Sequence, residues 1–362
     1  MDAVDAVDAV TDVVTEEASG TSEGWVSPLL GVAGAVPADG PDTGVAWHYG
    51  DPFREQRTLE SGVGTVDLSH RGVVRIGGPD RLSWLHSLTS QAVDGLPART
   101  SGETLVLSPH GHVEHDLHLV DDGEAVWATV EPGTAGALVE WLERMQFLLR
   151  VEVADVTASW AVLGEPVARE SEPGEPLAWR DPWPAIGPTT ASYAAVEPAG
   201  HPGATRAWRE VIVPRDRLAE HADLDHLAGT WAAEALRVAA WRPRPGFETD
   251  HRTIPHEVDW LRTAVHLQKG CYRGQETVAR VHNLGRPPRR LVMLHLDGSD
   301  GVLPGHGSDV LHGERRVGQV TSSARHHLLG PIALAVIKRS VPADADLTVD
   351  GVAAAQEIVV AP

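Results

Sequence analysis

Lys269-Gly270-Cys271-Tyr272-Arg273-Gly274-Gln275-Glu276 contains the only cysteine among 362 residues. A lone cysteine is more often a small buried hydrophobe than a reactive group. The neighbours of this one argue for chemistry. If residues 269–273 are extended, Lys269, Cys271 and Arg273 point to one side. Two cations beside a thiol favour its thiolate. Gly270 and Gly274 would let backbone approach a ligand closely. Between residues 269 and 290 lie six bases (Lys269, Arg273, Arg280, Arg286, Arg289 and Arg290) and one acid, Glu276. The whole chain carries a net charge of −21. A basic island in an acidic protein implies an anionic ligand or partner, or internal pairing with acids elsewhere.

The bulk numbers exclude several classes of function. A chain of 362 residues is too long for one ordinary core, so two or three domains are expected. Hydrophobic content of 42% and charged content of 22% are globular values. The net charge argues against broad binding to nucleic acid or an anionic membrane, so direct DNA binding is not expected. One cysteine permits no internal disulfide and no four-thiolate metal or cluster site. No run of 18 apolar residues suggests a membrane span. The acidic N-terminus resembles neither a secretory signal nor a transit peptide, so a cytoplasmic location is expected. Twelve Trp against three Phe and three Tyr is unusual, and no function follows from it.

Taken in order, residues 1–24 repeat Asp-Ala-Val and carry seven acids and no base, which predicts a disordered acidic tail. An N-terminal α+β region is expected over residues 25–164. Val73-Val74-Arg75-Ile76 reads as a strand, followed by a turn and helix start at Gly77-Gly78-Pro79-Asp80. Leu105-Val106-Leu107 is a second strand. In the next, Val113, His115, Leu117 and Leu119 should share one face, and His112, Glu114, Asp116 and His118 the other. That polar row suits a ligand, although solvated strand histidines are commoner than metal ligands, and no metal is expected. Leu138, Trp141, Leu142 and Met145 form a helical core stripe. Residues 165–188 are rich in Pro and Glu and read as a loop or crossing. A second α+β region spans 189–286. It includes a strand at Trp208–Val213 and a helix capped by Thr230. Pro287-Pro288 marks a boundary. From 287 to 362, short strands and the Asp350-Gly351 hairpin turn suggest a small antiparallel barrel. There is no Gly-x-Gly-x-x-Gly unit and no Walker loop.

The 269–276 stretch resembles the Lys-Gly-Cys-Tyr-x-Gly-Gln-Glu signature of YgfZ-type folate-binding proteins, relatives of the glycine-cleavage T-protein (aminomethyltransferase). Arg75–Arg81, Glu248–Glu257 and Val317–Ser322 carry the resemblance through most of the chain. It implies a T-protein-like α+β fold: two intertwined α+β domains and a C-terminal antiparallel β-barrel around a central channel. It also implies tetrahydrofolate as cofactor and a role in assembling or maintaining iron–sulfur client proteins, including tRNA-modifying enzymes. On that resemblance Cys271 is the reactive group, with Lys269 beside it. Glu257 falls where the T-protein family places a pterin-binding carboxylate. Glu248, Arg273, Gly274, Gln275, Glu276 and Arg280 are further candidate folate contacts. A carboxylate matches the pterin N3–H and 2-amino group, and a cation matches the glutamyl tail.

One departure bears on activity. The T-protein strand resembles Gly-Gly-Ile-x-Asp-Asp-Leu, with an aspartate needed for aminomethyl transfer. Here Gly111-His112-Val113-Glu114-His115-Asp116-Leu117 keeps Asp116 and replaces its neighbour with His115. Two other readings stay open. One is a folate-dependent aminomethyltransferase or demethylase with Asp116 as its catalytic carboxylate. The other is a macromolecule-docking protein with a vestigial folate site.

Overall fold

A computed structural model describes residues 25–299 and 301–362. The expected tail at 1–24 lies outside the described residues.

Alternating apolar residues build a first antiparallel sheet. Its strands run in the order Ser101–Leu107, Val113–Asp121, Ala125–Val130, Gly72–Gly77 and Glu152–Asp155. The helix Ala135–Arg144 lays Leu138, Trp141 and Leu142 on it, as the stripe predicts. A second five-stranded sheet orders Ala178–Arg180, Arg209–Pro214, Trp160–Glu165, Thr65–Asp67 and Leu227–Ala228. Its strands come from both α+β regions, so the two domains are intertwined. Trp160–Glu165 pairs with Thr65–Asp67 on one side and Arg209–Pro214 on the other, so the boundary at 164/165 falls within a strand. The Pro-rich 165–188 stretch is not only a loop, because its Ala178–Arg180 strand forms the sheet edge.

The last region is a closed six-stranded antiparallel barrel, as expected. Asp350 and Gly351 both adopt positive φ between the strands Leu347–Val349 and Val352–Ile358. That is the backbone such a two-residue turn needs.

The three bodies share cores. Leu105, Leu107 and Val113 of the first sheet pack with Val258, Trp260 and Leu261, and with Leu291, Met293 and Leu334 of the barrel. The helix Thr230–Ala239 packs on both the barrel and the helix Pro52–Glu60. Gln56 ties this junction to the barrel: its Nε2 donates to the Arg325 carbonyl at 2.9 Å and its Oε1 accepts from the His327 amide at 2.9 Å. Thr230 is the first helical residue; Gly229 occupies the cap, and no side-chain cap bond forms.

Two local expectations fail for physical reasons. The Val113–Asp121 strand carries a bulge at its start, where Val106 pairs with His115 but Leu107 pairs with Val113. An extra residue reverses the alternation before it. Val113 therefore joins the core beneath the barrel, while Leu117 and Leu119 join that of the first sheet. Residues 269–273 form turns rather than a strand, so Lys269, Cys271 and Arg273 do not share a strand face.

Candidate functional site

Beyond the bulge, side chains again alternate across the sheet. Asp116 pairs with Leu105, and His118 with Glu103. Asp116 and His118 face a crevice closed by Trp179 and Glu210 from the second sheet and by Arg237, Arg242 and Arg244 from the segment after residue 233, while Glu103 lies behind them, bonded to Arg242. The crevice encloses about 50 Å³. It shares Arg206 and Trp208 with a more apolar neighbouring cavity of about 250 Å³, which Leu59, Leu236 and Leu329 also line.

Most of the crevice's charges are mutually paired. Arg71 donates to Glu210 at 2.7 Å, Arg206 to Asp181 at 2.9 Å, and Arg244 to Asp42 at 2.7 Å and Glu131 at 2.9 Å. Arg237 reaches Glu234 and Glu248. Arg242 donates to Glu103 at 2.6 Å and has the rings of Trp179, Trp183 and Trp260 within 6.0 Å of its guanidinium carbon. That cage gives part of the high Trp count a structural role. Desolvation of a guanidinium works against its charge, and Asp181 and Glu103 outweigh it, so Arg242 stays charged.

Buried polar atoms are left over around the crevice, Arg71 Nε among them. Oδ1 of Asp116, Oε2 of Glu103 and Nη1 of Arg242 have no hydrogen-bond partner among the described residues. Asp116 is 6% exposed, Glu103 1% and Arg242 4%. Leaving such groups unpaired costs about 1–3 kcal/mol each. Asp116 and Arg242 line the crevice and Glu103 is bonded to Arg242, and unpaired buried polar groups of this kind suit a polar ligand.

Glu103, Asp116 and His118 bring potential metal-ligating atoms within 4.8 Å of one another. His118 does not offer one. Its Nδ1 faces Glu210 at 3.0 Å and its Nε2 faces Asp116 at 3.2 Å, so carboxylates occupy both nitrogens. The Glu60, His326 and His327 group is similarly unsuited, since His326 Nδ1 accepts from the amides of Leu328 and Leu329. That fixes the proton on Nε2, the nitrogen facing Glu60.

The cysteine motif lies at the end of the same strand. Gly274 has φ +82°, and a Cβ there would lie 2.5 Å from the Ser108 carbonyl and 2.9 Å from the Gly111 Cα. Only glycine allows this contact. Arg273 crosses to Glu114, the residue at the bulge, at 2.9 Å. Lys269 turns its ammonium to the carbonyls of His86, in the last turn of the helix Arg81–Leu88, and of Thr89 and Gln91 just after it. Burial lowers its pKa to about 8. Both cations are thus engaged with other groups. Cys271 itself is exposed. Glu276 is an exposed acid in the first turn of the helix Gln275–Leu284, where it suits the helix dipole. Gln275 borders a separate cavity of about 440 Å³ with Tyr272 and His282. Arg280 is exposed and has no ion-pair partner among the described residues.

Asp116 thus lies in the crevice and Cys271 on the surface. Glu257 is buried, with Oε1 and Oε2 accepting from Arg289 at 2.9 and 2.7 Å. Glu248 is buried too: Oε1 accepts from Thr321 and Ser322, and Oε2 from Arg237 and the Arg244 amide. Both therefore act as joints between the second α+β region and the barrel. Glu103, Trp179, Glu210 and Arg242 were not singled out in the sequence. Alternation places Glu103 once the 101–107 strand is extended. Nothing local marks Trp179 or Arg242.

The chain was then compared with known proteins. The GCVT N-terminal domain matches residues 44–165, and the glycine cleavage T-protein C-terminal barrel domain matches 289–361, together more than half the chain. A chloroplastic protein of Arabidopsis thaliana, provisionally named a transferase, is 26% identical over 305 residues. That match covers 78% of this chain and 66% of the relative, so this chain spans just under two thirds of it. An aminomethyltransferase of Moorella thermoacetica is 27% identical over 314 residues, covering 80% of this chain and 82% of that one. The crystal structure of the glycine cleavage system aminomethyltransferase T from Bartonella henselae superposes with a TM-score of 0.70 at 17% identity, over 91% of this chain and 94% of that one. The fold is therefore T-protein-like.

Proposed function

The chain belongs to the glycine-cleavage T-protein superfamily, and on that premise we propose that it binds tetrahydrofolate in the central crevice and acts as an accessory protein for iron–sulfur enzymes, with Cys271 as its reactive group. The observation that carries the binding reading is the trio of unpaired buried atoms on Glu103, Asp116 and Arg242. A pterin edge has N–H donors for the two carboxylate oxygens and a carbonyl for the guanidinium. Folate would supply a one-carbon carrier or a redox-active ring. The residues here orient it and shield it from water. A ligand of this size needs about 300 Å³ or more. The crevice and its 250 Å³ neighbour together approach that figure, with Arg206 moving aside from their shared wall. Arg280, exposed and without an ion-pair partner among the described residues, suits an anionic glutamyl tail or an acidic client.

The role with iron–sulfur clients, including tRNA-modifying enzymes, rests on the Lys269–Glu276 signature and on the exposure of its thiol. One thiolate does not hold a cluster alone, so Cys271 acts transiently and with a partner. Folate-dependent one-carbon transfer is the second reading, favoured by the names of the relatives.

Isothermal titration with tetrahydrofolate tests the binding reading. We expect micromolar or tighter binding, weakened at least tenfold, or about 1.4 kcal/mol, by Glu103→Gln. Absence of binding to the folded wild-type protein overturns it. Support of a cluster enzyme in a deletion strain, lost with Cys271→Ser, tests the client role.

A further inference from the structure

His118 is held on every side. Its ring stacks on Trp179 with centroids 3.6 Å apart and planes 4° from parallel. Its two nitrogens face carboxylate oxygens of Glu210 and Asp116. Glu210 is fixed in turn by Arg71 and by the Thr129 hydroxyl at 2.6 Å. A neutral imidazole has one donor and one acceptor nitrogen. Set between two carboxylates, its bare nitrogen would face an oxygen lone pair. The arrangement is satisfied when both nitrogens carry protons. Other charged groups around the ring are Glu103 from the adjacent strand, Arg71, Glu131, Asp181 and Arg206, and Glu234, Arg237, Arg242 and Arg244 from the helix Thr230–Ala239 and the segment after it.

We propose that His118 is the built-in counter-ion of Asp116, so that the crevice offers Asp116 to neutral N–H donors and not to a cationic amine. The second Asp116 oxygen is an acceptor without a partner among the described residues, while the carboxylate's charge is matched by the ring nitrogen 3.2 Å from the first. A carboxylate paired in this way orients a pterin-like edge. It does little to stabilise the positive charge that develops when an aminomethyl group changes hands. His118 is thus a positioning and specificity residue, and it sets this chain against amine chemistry. Desolvation opposes the charged ring, and the Glu210 and Asp116 carboxylates outweigh it, raising the pKa to about 10. The inference rests on the proposed folate site only for the identity of the neutral ligand.

Two measurements judge it. Long-range ¹⁵N–¹H spectra, assigned by difference from His118→Gln, read the ring directly. We expect both nitrogens protonated at pH 8; a neutral tautomer at pH 7 overturns the proposal. Methylammonium then serves as a cation probe by titration. We expect wild-type protein to bind it at least tenfold more weakly than His118→Gln does. Equal affinity overturns the specificity claim. His118→Arg, which keeps the charge, is expected to reject the probe as wild type does. If wild type fails to bind tetrahydrofolate, the proposed function fails, yet the ring spectra and the methylammonium titration still decide this inference.

Discussion

Arg242 donates to Oε1 of Glu103 at 2.6 Å, yet Nη1 of the arginine and Oε2 of the glutamate both stay unpaired in the same buried space. The Trp260 indole N–H reaches the same Oε1 at 2.8 Å. One oxygen is thus doubly used and the other left open, an asymmetry that matches a site waiting for a donor. Replacing Arg242 with Met strands Glu103 beside Asp116. We expect a loss of about 3 kcal/mol or more in urea unfolding, together with loss of tetrahydrofolate binding.

Half-buried Arg289 pairs with buried Glu257, with Asp250 completing the group at 2.7 Å. Arg289→Ala leaves the Glu257 charge uncompensated in the core. The expected cost is about 3 kcal/mol, read from the shift in unfolding midpoint at unchanged m-value. A cost below about 1 kcal/mol would mean that the Arg289–Glu257 pair does not join the barrel to the second region.

Gly274 is the hinge on which the cysteine loop meets the first sheet. Gly274→Ala places a methyl against the Ser108 carbonyl in a left-handed conformation. We expect roughly 2 kcal/mol of destabilisation and faster alkylation of Cys271 as the loop detaches. An unchanged alkylation rate would uncouple the loop from that contact.

Cys271 is exposed, so Cys271→Ser should change stability by no more than about 0.5 kcal/mol. Tetrahydrofolate affinity should also be unchanged. Support of the cluster enzyme should fall. A variant that loses folate binding instead would place the thiol in the crevice.

His118 also predicts a pH dependence. Its folded pKa of about 10 lies above the ordinary 6.5, so the folded state holds the proton more tightly. Its stabilising contribution is complete below pH 6.5 and is lost as pH rises to about 10. The stability gap between wild type and His118→Gln should therefore shrink across that range. A constant gap contradicts a charged ring.

How much of this could be read from the chain differs by element. The barrel was legible because Pro287-Pro288 and Asp350-Gly351 act locally, through proline and left-handed turn geometry. The helix Ala135–Arg144 was legible from its stripe. Asp116 and His118 share a face as alternation predicts, but the side taken by Val113 was not legible, because a single bulge inverts the alternation before it and no local pattern announces it. The basic island leaves open a choice between ligand and internal pairing. Arg273 and Arg289 are internally paired, while Arg280 is exposed and has no ion-pair partner among the described residues. The crevice joins residues 116, 179, 210 and 242, brought together only by tertiary packing. Arg242 sits between Trp241 and Pro243, where its sequence neighbours suggest only a helix end.

The most direct test of the central claim is a crystal structure of the protein grown with tetrahydrofolate under reducing conditions. We expect the pterin ring in the crevice, with ring nitrogens within about 3.2 Å of Asp116 Oδ1 and Glu103 Oε2. Arg206 should be displaced toward the neighbouring cavity. Density for the pterin against Cys271, or in the cavity beside Gln275, or an unchanged crevice at saturating ligand, would contradict it.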